Sequence, residues 1–81
     1  MSELPSLSRI RWLCRRGTQE LDRLLGEFAA QHYESLDDET RATFVALLET
    51  EDDQLWDWFI GRAAPPREDF EQLVQRIRDS R

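Results

Sequence analysis

The chain has no lysine, and among its 81 residues there is one cysteine, one histidine, three glycines and three prolines. Each scarcity excludes something. The lone Cys14 rules out an internal disulfide and gives no reason to place the protein in an oxidising compartment. Three isolated glycines leave no glycine-rich phosphate loop and no dinucleotide fingerprint, so no standard FAD- or NAD-binding fold is expected. No apolar run approaches the roughly 20 residues that span a bilayer, so no membrane insertion is expected. Residues 1–8 hold an acid, Glu3, and no base, a pattern of neither a signal nor a transit peptide. The expectation is a cytoplasmic protein, monomeric when free.

Charge is present but unevenly spread. The net charge is −6; residues 1–16 carry four arginines against one acid (+3), and residues 17–81 carry seven arginines against sixteen acids (−9). A short basic patch thus sits on a body that repels nucleic acid and anionic membranes. A protein partner with a local acidic surface suits it better. With 40% hydrophobic residues the chain reads as a single helical domain, 1–81, with one core. So small a core gives little room for a deep, water-free active site, and surface binding is the easier task.

Periodicity predicts an all-α protein, a compact five-helix bundle. Ser6 or Ser8 caps a first helix with Leu7, Ile10, Leu13 and Cys14 on one face, and Gly17 stops it in the left-handed conformation common past helix ends. A second helix runs from about Thr18 to Tyr33 with Leu21, Leu24, Leu25, Phe28 and Ala29 inward. Ser35-Leu36-Asp37-Asp38 opens a third, whose apolar set is Phe44, Val45, Leu47 and Leu48. Thr50-Glu51-Asp52-Asp53 opens a short fourth, ended by Gly61. After the connector Ala63-Ala64-Pro65-Pro66, with Pro66 placed in the first turn, a last helix over about 67–80 turns Phe70, Leu73, Val74 and Ile77 to one side.

Candidate chemistry is sparse. Cys14 and His32 would need to meet at an exposed point to act as a nucleophilic pair, but Cys14 lies on the inward face of its helix. His32 fits better as a partner for the last carbonyls of helix two or as part of the bundle edge. The clusters Asp37-Asp38-Glu39 and Glu51-Asp52-Asp53 lack the alternating ligands and central glycine of a calcium loop, and both stand where helix starts favour carboxylates. No catalytic residue and no metal site is expected. Trp56 and Trp58 lie about 200° apart on a helix, so only one enters the core. Trp58 shares the stripe of Leu55 and Phe59, which leaves Trp56 with Ile60 either packed on a terminal helix or partly exposed for binding.

Arg9, Trp12 and Arg16 recur at three and four residues and give helix one a cationic, aromatic outer face, the composition of a protein-binding hot spot. The bland alternative is that Trp12 closes the bundle while the arginines pair with nearby acids. With Gly17 as the cap, Glu20 is three residues in, where its carboxylate reaches back to the cap amide. A structural and a contact role for Glu20 both remain open at this level.

The run from Arg9 to Asp22, with Arg16-Gly17-x-x-Glu20 at its centre, closely resembles the FAD assembly factor SdhE family. Leu47-Leu48, Asp52-Asp53 and Leu55-Trp56-Asp57-Trp58 extend the similarity over about residues 8–61. The resemblance implies a five-helix bundle that binds the flavoprotein subunit of succinate dehydrogenase, or of the related fumarate reductase. It implies further that the factor promotes bonding of the FAD 8α-methyl carbon to a client histidine, with FAD held by the client and no cofactor of its own. It places the partner-binding surface at Arg9, Trp12, Arg15, Arg16, Gly17 and Glu20. Positions 18 and 19, where family members often carry a large apolar residue, are Thr18 and Gln19, which makes this contact more polar. The family has also been described as an antitoxin component, and that is the alternative reading.

Overall fold

Five amphipathic stripes become five helices wrapped around one core in the computed structural model, which describes residues 5–15 and 17–80. They are α1 (Leu7–Leu13), α2 (Gln19–His32), α3 (Asp38–Leu48), α4 (Asp52–Phe59) and α5 (Glu68–Asp79), with a 3₁₀ turn at Tyr33–Ser35 between α2 and α3. No strand occurs among the described residues. The radius of gyration is 11.7 Å, close to the ~12 Å of a compact chain this long, so the helices form a bundle and not a solenoid.

The core follows the stripes. Ile10 of α1 and its C-cap Cys14, Leu21, Leu25, Phe28 and Ala29 of α2, and Phe70, Leu73, Val74 and Ile77 of α5 are all buried. Trp58 enters the core and meets Phe70 with ring centroids 5.9 Å apart. In α3, Phe44, Leu47 and Leu48 are buried but Val45 only partly; the fourth inward position is Thr43. Its hydroxyl donates to the Glu39 carbonyl at 3.1 Å, which satisfies the one polar group a buried threonine carries.

The helix ends fix which of the expected caps are used and move one of them. Ser6, not Ser8, caps α1, with its hydroxyl accepting from the Arg9 N–H at 3.4 Å. Asp37 caps α3 by accepting from the Thr40 N–H at 2.9 Å, and hydrogen bonding from Thr40 holds its carboxyl below the ordinary value. Arg67, not a proline, stands at the cap of α5, so Pro66 lies just outside the first turn. Gly61 follows α4 with φ 82°, in the left-handed region where glycine is favoured. His32 is half-buried with its ring 5.1 Å from that of Phe28, a place at the bundle edge. The carbonyls at the end of α2 go elsewhere: Ser35 Oγ donates to His32, and Arg41 donates to Tyr33 at 3.0 Å and Glu34 at 2.7 Å.

Candidate functional site at a helix corner

Because Ile10 and Cys14, four apart, point into the core, α1 must turn Arg9, Arg11, Trp12 and Arg15 outward. Trp12 is 63% exposed, far above what a bundle-closing tryptophan would show. The Arg15 guanidinium carbon lies 5.3 Å from its ring centroid, a cation–π contact that holds the indole on the surface. Arg16 lies outside the described residues.

Gly17 works differently from the sequence expectation. Its φ is not positive; among the described glycines only Gly61 has that conformation. What favours a glycine is a close approach across the fold. The Gly17 N–H donates to Asp52 Oδ2 at 2.7 Å, and a Cβ added at Gly17 would stand 3.1 Å from that oxygen. The bond joins residues 35 apart in sequence and pins the corner between α1 and α2 to the first residue of α4.

The cap of α2 is Thr18, whose backbone is extended and whose hydroxyl accepts from the Leu21 N–H at 3.4 Å. Glu20 is then the second helical residue, one short of the position from which a carboxylate bonds back to the cap. The capping role is therefore replaced by an exposed carboxylate near the positive end of the helix. It makes no side-chain hydrogen bond or ion pair with another described residue.

One turn beyond Asp52, Trp56 is 36% exposed, and Ile60 a turn further is 45% exposed. Trp56 and the α2 residues Gln19, Glu20, Asp22, Arg23, Leu24 and Glu27 line an open groove of about 750 Å³. The corner between α1 and α2 thus continues into a groove through Glu20, which belongs to both. Asp52 and the groove escape a local reading, because α2 and α4 are far apart in the chain.

Asp52→Ala is expected to release the corner without unfolding the bundle. Loss of a hydrogen bond to a carboxylate costs about 1–2 kcal/mol at a partly exposed site, so the helical circular-dichroism signal should persist. Amide exchange at Gly17 should rise about 5- to 30-fold by the same figure, and Asp52→Asn, which keeps an acceptor oxygen, should rise less. An unchanged Gly17 exchange rate in Asp52→Ala would show that the bond does not hold the corner.

No group of three or more histidine, cysteine, aspartate or glutamate side chains among the described residues is arranged to hold a metal ion. The Cys14 thiol is buried. No described helix is long and apolar enough to cross a membrane.

Comparison with known proteins supplies the family. The flavinator of succinate dehydrogenase family matches residues 8–81, which takes in the C-terminal helix as well as the corner. The FAD assembly factor SdhE of Shewanella oneidensis is 41% identical over 76 residues, spanning 94% of this chain and 93% of that protein. The FAD assembly factor SdhE of Pseudomonas aeruginosa is 40% identical over 79 residues, 98% of this chain and 94% of its own. That of Coxiella burnetii is 36% identical over 77 residues, 95% of this chain and 94% of its own. With the family matched across nearly the whole length and three relatives covered almost end to end, the chain belongs to the flavinator of succinate dehydrogenase family.

Proposed function

We propose that this protein is an assembly factor that binds the flavoprotein subunit of succinate dehydrogenase and promotes covalent attachment of FAD to it. Family membership over residues 8–81 is the observation that carries the reading. The surface fits it: a tryptophan 63% exposed among arginines on a short helix is what a protein-binding face requires. Arg9, Trp12, Arg15, Arg16, Gly17 and Glu20 form the client-facing corner, with Gly17 holding its shape and the others making contact. The flavin and the histidine it joins both belong to the client complex, so the protein acts as a non-catalytic chaperone with no cofactor of its own. The buried Cys14 thiol is in keeping with that role. The flavoprotein of fumarate reductase is a second client of the same surface, and the free factor is a cytoplasmic monomer. No specific observation favours the antitoxin alternative.

Purified apo-flavoprotein incubated with FAD, with and without this protein, tests the function directly. In-gel flavin fluorescence after denaturation should rise several-fold in its presence. Bands of equal intensity in both incubations would overturn the reading.

A further inference from the structure

The α2 side of the groove presents Glu20, Asp22 and Glu27 against a single base, Arg23, so the lining carries a formal charge of −2. Glu20 and Glu27 make no side-chain hydrogen bond or ion pair with other described residues, so their carboxylates are open to an outside donor. The lining contributed by α4 is the Trp56 indole, an aromatic side chain that α4 leaves 36% exposed while burying Trp58. An aromatic plate sharing a groove with carboxylates suits a planar cation. A guanidinium stacks on the indole and spends its N–H groups on the carboxylates, whereas an ammonium, compact and strongly hydrated, does the first poorly.

We propose that this groove receives an arginine-bearing, cationic segment of the client flavoprotein, with an arginine side chain between Trp56 and the Glu20/Glu27 wall. The proposal rests on the assembly-factor reading and extends it. The cationic face of α1 and the acidic groove would then grip regions of opposite charge on one client. Two patches of opposite sign fix orientation as well as affinity, because a reversed encounter sets like charges against each other.

The test uses the full chain and purified client flavoprotein, with affinity measured by calorimetry at two salt concentrations. Trp56→Ala should weaken binding about 10-fold or more, Trp56→Phe should recover most of the loss, and both should keep wild-type helicity. Glu27→Lys should weaken binding more than Glu27→Gln, and Glu27→Gln should show a shallower salt dependence than wild type. A photo-reactive phenylalanine analogue replacing Gln19, an exposed residue of the groove lining, should cross-link to an arginine-bearing client peptide. Wild-type affinity in both Trp56→Ala and Glu27→Lys overturns the inference; a loss in Trp12→Ala alongside it leaves the assembly-factor reading standing. Cross-linking to an acidic or uncharged client peptide also overturns it. So does sedimentation of the free protein as a dimer that Trp56→Ala disrupts, since the arginines of α1 from a second copy would then be the occupant.

Discussion

Trp12→Ala is expected to weaken binding of the client flavoprotein by about 30- to 1000-fold, the roughly 2–4 kcal/mol typical of a central interface tryptophan. The indole is 63% exposed and its helix is anchored by Ile10 and Cys14 on the opposite face, so truncation removes contact area and leaves the core intact. Alanine is also the better helix former, and α1 should be retained. Arg15 would lose the ring it packs on, 5.3 Å away, which adds to the loss through its disordered guanidinium. Affinity by calorimetry, circular dichroism and covalent flavin fluorescence should therefore separate: the first and third fall and the second does not. A dissociation constant within twofold of wild type would show that the outer face of α1 is not the client surface.

Much of this architecture is legible in the sequence because helix stripes are local. Leu21, Leu25, Phe28 and Ala29 declare their face by spacings of three and four, and so do Phe70, Leu73, Val74 and Ile77. The same arithmetic divides Trp58, which is buried, from Trp56, which is 36% exposed. What escapes is whatever depends on a second element. Thr43 is buried where Val45 only flanks the core, and its hydroxyl lies 3.4 Å from the Asp69 carboxylate of α5, a contact no spacing within α3 announces. Arg41 takes the carbonyls of Tyr33 and Glu34 just past α2, a task that His32 is the nearer residue to perform.

Gly17 is the clearest case. A glycine between two helices suggests a left-handed stop, and no spacing rule announces that a carboxylate 35 residues later needs the space its side chain would fill. Once that contact is drawn, the hallmark segment has a physical division of labour. Thr18 caps α2, Gly17 bonds to α4, and Glu20 is freed from capping to face outward beside Trp56. Removing Glu20 should thus leave the helix largely intact, which the capping reading would not allow.

Phe44→Ala should produce the opposite signature, loss of flavinylation through loss of the fold. Phe44 is 0% exposed and its ring lies 5.6 Å from Phe28 and 6.2 Å from Tyr33, at the junction of α2, the 3₁₀ turn and α3. Emptying such a site costs about 3–5 kcal/mol, the sum of lost transfer energy and the cavity left behind. A domain of 81 residues holds only about 4–12 kcal/mol in all, so the variant should sit at the edge of unfolding. In urea, where small domains lose about 1–3 kcal/mol per molar, the midpoint should fall by about 1–5 M, or the variant should be unfolded without denaturant. Trimethylamine oxide, which favours burial, should restore its helicity and its flavinylation together, while the same osmolyte should not rescue Trp12→Ala, whose fold is already intact. A midpoint shift below about 0.5 M, smaller than the lost transfer term of a buried phenylalanine alone would give, would show that Phe44 does not hold this junction together.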